Sequence, residues 1–367
     1  MISIAFTGGG TGGHIYPGLA VAAELKKLLP DGEYRLFWIG SSAGMDRSVV
    51  EEAGIEFFGI PSGKLRRYFS FKNLTDVFRI LSGFFAARKI LKKQKVKLLF
   101  SKGGFVSVPP CAAAAFLNIP VFTHESDFSP GLATKINSRF ITAKGRIFTA
   151  YEDTARFFPG KLHDRITVCG NPVRDVFRRA DAAKGRAFLG VDDDARILLV
   201  LGGSQGALEI NELVRATLPH LTEIYTVVHQ TGPGLEWDIP ASQKYKPAPY
   251  FKREMPHVMA AAELVMGRSG AGIWEWAVLG KPMLLIPLRG SGTRGDQIEN
   301  ASFFRQAGAA EVLSENAGAQ ELMSAVSDIA HNARKRDVMA SASAKIGEKN
   351  SAGIIANAIA EKFIGIS

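Results

Sequence analysis

Short apolar runs separated by helical patterns recur along the whole chain. ISIAF, RLFWIG, EFFGI, KLLFS, PVFTHE and RIFTA in the first half have the length and content of buried strands, as do RITVCG, RILLVLG, IYTVVHQTG, APYF, ELVMG, PMLLIP and AAEVL in the second. Between them, segments such as PGLAVAAELKKLL carry apolar residues at helical spacing. Strand–helix alternation over this length predicts an α/β protein with parallel sheets covered by helices on both faces. The pattern restarts midway, since RILLVLGGSQGALEINELV is again strand, glycine loop and helix. Two doubly wound domains are therefore expected, joined near residues 168–177. In open parallel sheets ligands bind beyond the carboxyl ends of the strands. Two such domains facing each other would share one central cleft.

Length and composition leave this picture standing. A chain of 367 residues suits two domains, and 46% hydrophobic with 22% charged residues is ordinary for a globular protein. Cys111 and Cys169 are the only cysteines, too few for a disulfide framework and without metal-ligand spacing. No signal peptide is expected, because the N-terminus runs straight into a strand. The best membrane-spanning candidate, residues 106–122, is broken by three prolines and an asparagine and reads better as a buried strand–turn–helix unit.

Charge changes the picture more. The net charge is +10, yet residues 61–102 hold 12 Lys or Arg and one acid, Asp76, so the whole excess sits in that window. Such asymmetry points to an anionic surface, membrane or nucleic acid. Within the window, NLTDVFRILSGFFAARKIL has apolar residues at 74, 77, 78, 81, 84 and 85, the spacing of a helix packing on a core. SGKLRRYFSFK, residues 62–72, has no such periodicity. There Leu65, Tyr68 and Phe69 interleave with Arg66 and Arg67, a composition suited to an anionic membrane surface. Stacking of the aromatics on nucleic-acid bases is the rival reading.

Candidate chemistry gathers at the predicted strand ends. TGGGTGGHIYPG, residues 7–18, has five glycines in its first seven residues and then His14. Glycine amides beside a helix start make an anion site suited to a diphosphate. GGSQGA, residues 202–207, is a second such loop. A dinucleotide site is disfavoured, because no fitting acid ends the strand after the first loop. Glu275, in the first turn of a helix expected to begin near Ile273, suits a ribose diol, and complementing the helix dipole is an equal alternative. SKGGFVSVP, HESD and GDQIEN complete a set of polar segments at strand ends.

GGGTGGHIYPGLAVA, GGFVSVP, HESD, GNPVR, GGSQGA, RSGA…WE…GKP and GDQIEN stand in the order found in one family. From Met1 to about residue 360 the chain resembles the bacterial transferases that add N-acetylglucosamine to lipid I, giving lipid II. The resemblance implies a GT-B fold and inverting transfer, without a cofactor or metal. It implies residues 1–168 as an acceptor-binding and membrane-associating domain and residues 169–340 as the UDP-sugar-binding domain. Residues 341–367 would form a C-terminal helix packing back on the first domain. The partners implied are UDP-N-acetylglucosamine, lipid I and the anionic cytoplasmic face of the inner membrane, with no nucleic acid.

Carried over by motif, Thr11, Gly12 and Gly13 lie at the sugar–phosphate junction. Gly103, Gly104 and His124 belong to acceptor loops, and Asp127 stands at a sugar-contacting position. Arg174 contacts the uridine part, Ser204 the diphosphate, Lys252 the uracil through its backbone, Glu275 the ribose and Gln297 the sugar. His14 is the first candidate for general base, with His124 and Glu125 in reserve. The family commonly has HEQN where this chain has HESD, and glutamine where Asp296 stands. Residues 270–275 are one residue shorter than the family form. A transferase acting on another glycolipid and a UDP-sugar epimerase of similar build are the alternatives. A nucleic-acid-binding protein would leave both glycine loops without a purpose.

Overall fold

The computed structural model describes residues 1–30, 32–43, 46–63, 71–235, 237–290, 294–314 and 316–363, with only the backbone of residues 71–75. Leu65, Arg66, Arg67, Tyr68 and Phe69 lie outside the described residues. The chain divides into two units, residues 1–174 with 350–367, and residues 175–349.

The first unit is built on seven strands: β1 (Ile2–Thr7), β2 (Tyr34–Ser41), β3 (Glu56–Ile60), β4 (Val96–Ser101), β5 (Val121–Glu125), β6 (Arg146–Thr149) and β7 (Ile166–Val168). They pair in the order β3-β2-β1-β4-β5-β6-β7, all parallel. Every connection must therefore cross over the sheet, and helices fill that role. Apolar residues on alternate faces of the strands enter two cores. One holds Ile4, Phe6, Trp38 and Phe100. The other holds Ala5, Phe37, Ile39 and Leu99. The helix Gly12–Leu28 covers the first face through Ile15, Leu19, Ala22 and Leu25, and the C-terminal helix Ser351–Ala360 packs there through Ile355 and Ile359.

The second unit repeats the plan with β8 (Ile197–Leu201), β9 (Thr226–Gln230), β10 (Tyr245–Ala248), β11 (Leu264–Gly267), β12 (Met283–Leu285) and β13 (Ala310–Val312). Their order is β10-β9-β8-β11-β12-β13, again all parallel. The two doubly wound sheets agree with the expected fold class.

Several boundaries differ from the sequence reading. The first unit runs past residue 168 to Arg174, because RITV pairs with β6 (Ile147 opposite Ile166) and the GNPVR loop follows on the same sheet. Residues 341–347 belong to the helix Ala333–Gly347 of the second unit, and the return to the first begins at Asn350. The strand expected at APYF is Tyr245–Ala248, one that ends before Pro249. Residues 106–122 form the short helix Val108–Phe116, a turn and β5, so helix precedes strand. Among the described residues no helix is long and apolar enough to cross a membrane.

Candidate functional site

Because all strands in a sheet run one way, their carboxyl ends share one edge. In the first unit the strand order reverses between β1 and β4, the topological switch point where such sheets bind ligands. The glycine loop follows β1 and SKGG follows β4, so both motifs flank that point. The second unit repeats the arrangement, with GGSQGA after β8 and RSGA after β11.

The loop after β1 is shaped by close backbone contact. Gly10 has φ +89°, a conformation side chains rarely adopt, and a Cβ there would stand 2.7 Å from the Phe105 ring. A Cβ on Gly104 would stand 2.5 Å from Gly9 O, so the two loops meet only without side chains. Thr11 is the exposed N-cap of the helix Gly12–Leu28 and makes no side-chain capping bond. Gly12, Gly13 and His14 occupy its first turn, where backbone N–H groups lack helical partners. His14 is half-buried, with Nδ1 3.3 Å from Lys102 O. A carbonyl only accepts, so Nδ1 carries a proton, and in the neutral ring the lone pair is then on Nε2. That is the tautomer a general base needs.

One loop amide expected to serve a ligand is already occupied. Gly10 N–H donates to both oxygens of Asp46, at 3.2 and 3.3 Å. Asp46 is buried in the first turn of the helix Asp46–Glu52, and burial raises its pKa against the lowering effect of these bonds. Sequence reasoning missed it. Its signal was an acid two residues beyond the glycine at the end of SSAG.

The HESD segment corrects two expectations. His124 is fully buried, and its Nε2 donates to Gly170 O at 2.9 Å. Burial, with the Lys102 charge, holds the ring well below its ordinary pKa, so it is neutral, and it offers no exposed surface to a substrate. Glu125 is 5% exposed, and its carboxylate accepts from the backbone of Ser126, Asp127 and Gly131 at 2.9, 3.0 and 3.1 Å. A carboxylate holding three amides shapes the loop and is a poor reserve base. Asp127 is half-buried beyond it. Gly103 and Gly104 follow β4 with φ +87° and +78°. Arg174 ends the loop after β7, its guanidinium 4.4 Å from the Tyr16 ring centre.

In the second unit Ser204 is exposed in the turn after β8, and Gly206 packs so closely on the chain at Thr231 that a Cβ would meet its carbonyl at 2.3 Å. The buried Gln230, not foreseen from sequence, ties two motifs together. Its Nε2 donates to Gly203 O at 3.2 Å and its Oε1 accepts from Phe251 N at 3.0 Å, next to the exposed Lys252. Glu275 lies in the first turn of the helix Ile273–Val278, as expected, and is half-buried. Around it, a Cβ at Gly270 or Gly272 would meet nothing within 4 Å. Arg268 pairs with Glu209 at 2.6 Å, joining β11 to the helix Leu208–Ile224. Gln297 accepts from Leu288 N at 2.9 Å through Oε1, and its backbone oxygen accepts from Ser269 Oγ at 2.7 Å. Its side-chain carbonyl thus holds the loop after β12.

Residues 4–145 match the N-terminal domain of glycosyltransferase family 28, and residues 197–355 match its C-terminal domain. A Treponema denticola protein named UDP-N-acetylglucosamine--N-acetylmuramyl-(pentapeptide) pyrophosphoryl-undecaprenol N-acetylglucosamine transferase is 48% identical over 85% of this chain and 84% of its own. MurG of Acinetobacter baumannii shares the fold with a TM-score of 0.71, at 23% identity over 98% of this chain and 100% of its own. A UDP-GlcNAc 2-epimerase from Neisseria meningitidis shares it too, at 0.67 and 16% over 98% and 100%. The fold is thus that of GT-B enzymes, and transferases and epimerases both use it.

Proposed function

The chain belongs to glycosyltransferase family 28, and on that premise we propose that it moves N-acetylglucosamine from UDP-N-acetylglucosamine to the 4-hydroxyl of the muramoyl sugar of lipid I, forming lipid II. The observation carrying this reading is the 48% identity to a transferase of that name along most of both chains. It separates transfer from epimerisation, which the fold alone leaves open.

The residues support a single inverting displacement. His14 Nε2 takes the proton of the 4-hydroxyl as its oxygen attacks the anomeric carbon. The bond from that carbon to the diphosphate breaks with its electron pair, and UDP leaves. Charge growing on the diphosphate is met by Ser204 and by amides at Gly12 and Gly13. Glu275 holds the ribose, Lys252 the uracil through its backbone, Arg174 the uridine part, and Asp127 and Gln297 the sugar. Gly103 and Gly104 let the acceptor approach the backbone.

The helix Phe71–Lys93 supports attachment to the anionic cytoplasmic face of the membrane. It buries Gly83, Ala87 and Leu91, yet Val77, Phe78, Leu81 and Phe85 are exposed, Phe78 by 66% and Phe85 by 64%. Core packing was the expectation for these residues. The helix instead has two apolar faces, and only one meets the sheet. Phe116, 63% exposed, extends the outer face through contact with Phe84, and Arg79, Lys89, Lys92 and Lys93 lie on the same helix. Apolar residues among cations, on a helix unable to span, suit a protein lying on anionic lipid.

Incubating labelled UDP-N-acetylglucosamine with lipid I tests the reaction. Labelled lipid II is the expected product. Conversion of the donor to an epimer, with lipid I unchanged, would replace this reading by the epimerase.

A further inference from the structure

We propose that Lys102 is a positioning residue, whose buried ammonium holds the acidic loop after β5 in place and offsets the charge of Asp127. The inference rests on the sugar-transfer reading, in which Asp127 touches the donor sugar. Lys102 follows β4, next to the glycines of SKGG, yet its side chain is 1% exposed. The sequence counted it among the cations of a basic surface window, and the fold turns it inward.

Its contacts tie its own loop to the loops after β5 and β7, to the end of β1 and to the first turn of the helix Gly12–Leu28. Nζ donates to Ser126 Oγ, whose hydroxyl donates to Asn171 Oδ1 at 2.8 Å in the loop after β7. The backbone N–H donates to Thr7 O at 2.8 Å, and the carbonyl accepts from His14 Nδ1 at 3.3 Å. Lys102 thereby touches the base candidate through its backbone and the sugar-contact loop through its side chain. It lies too deep to meet a substrate itself.

A buried ammonium is costly unless opposite charge and hydrogen bonds surround it, and a neutral side chain of similar length would avoid that cost. The charges answering it are Glu125 at the end of β5 and Asp127 in the loop after it, with the neutral His124 ring beside them. Burial still outweighs them and lowers Lys102 to about 8, so it remains mostly charged at neutral pH. Glu125 is already satisfied by three amides. Asp127 is the second of these charges, on the residue next to the one that Nζ holds. Ser126 and Asp127, neighbours in that loop, answer the ammonium by a hydrogen bond and by charge.

A double-mutant cycle with Lys102→Met and Asp127→Asn tests this. Lys102→Met should lower kcat/KM for UDP-N-acetylglucosamine at least about tenfold, while Asp127→Asn in that background should restore it to within about threefold of Asp127→Asn alone, the coupling expected inside one charge network. UDP affinity by calorimetry should not move, since Asp127 is assigned to the sugar and neither its side chain nor that of Lys102 is assigned to the nucleotide. Independent effects of the two substitutions, or parent-level turnover by Lys102→Met, would overturn the proposal. The same cycle is read in melting temperatures, which need no substrate. There the double variant should melt above Lys102→Met, and a double variant no more stable would count against the coupling. If Lys102→Met does not fold, a folded double variant supports the pairing and an unfolded one overturns it. A parent that forms no lipid II would sink the transfer reading and leave the coupling to be judged by melting alone.

Discussion

Lowering the pH should weaken the second unit through one buried ring. His229 lies inside β9, fully buried, with its two nitrogens engaged. Nε2 stands 3.1 Å from Asn211 Oδ1, which only accepts, so Nε2 donates and Nδ1 accepts from Tyr245 OH at 3.0 Å. A second proton would take away that acceptor and place a charge beside the Trp237 edge, 5.0 Å from centre to centre. Burial accordingly depresses the pKa from 6.5 to about 4. As pH falls the unfolded chain takes the proton first, so stability drops from about pH 6.5 to about pH 4 and levels off below. At 1.36 kcal/mol per unit the loss comes to about 3 kcal/mol. His124, lowered by burial in the first unit, acts in the same direction. Urea denaturation followed by tryptophan fluorescence reads this well, because Trp237, Trp274 and Trp276 belong to the second unit and only Trp38 to the first. His229→Gln should be less stable than the parent at pH 7 and lose less between pH 6.5 and 4. Equal loss in parent and variant would refute the assignment of this acid sensitivity to His229.

Three further outcomes are expected. Glu275→Ala should weaken UDP binding by about 1.5–3 kcal/mol, the range for hydrogen bonds to a charged group, as measured by calorimetry; unchanged affinity would return Glu275 to a helix-dipole role. His14→Ala should lower turnover by about 10²–10⁴-fold at saturating substrates, and near-parent turnover would move the base elsewhere, away from Glu125 as well. Replacing Phe78, Leu81 and Phe85 by serine should release the protein from anionic vesicles in co-sedimentation and leave UDP affinity unchanged. Release only by serine at Leu65, Tyr68 and Phe69 would transfer the anchor to that segment of the sequence.

The general architecture was legible because strands and helices alternate with different periods. Glu275 was legible too, since a helix start fixes where its first-turn side chains point. His124 and Glu125 were harder. β5 is paired on both sides and buried on both faces, so alternation along it does not say which residues look outward. Lys102 was hidden by composition, because eleven other basic residues share its window and a charge is normally a surface feature. The outer face of the helix Phe71–Lys93 shows the reverse failure. Apolar periodicity reveals that a face is apolar, not what covers it. Asp46 and Gln230 act by binding backbone atoms distant in sequence, at separations of 36, 27 and 21 residues, which no local pattern records.

The C-terminal helix has a consequence for synthesis. Ile355 and Ile359 complete the apolar face shared by Ile15, Leu19 and Leu25, but they are made after the whole of the second unit. Two ties secure the return. Ser351 Oγ donates to Cys169 O at 2.5 Å in the first unit, and Arg178 reaches Gly347 O and Lys349 O at 3.1 and 2.7 Å in the second. A ribosome moving at roughly 5–20 residues per second needs about ten to forty seconds to travel from Arg174 to Asn350. For that time the nascent first unit carries an uncovered greasy groove along its first helix. It is a ready target for holdase chaperones, and any chain arrested in the second unit keeps it open.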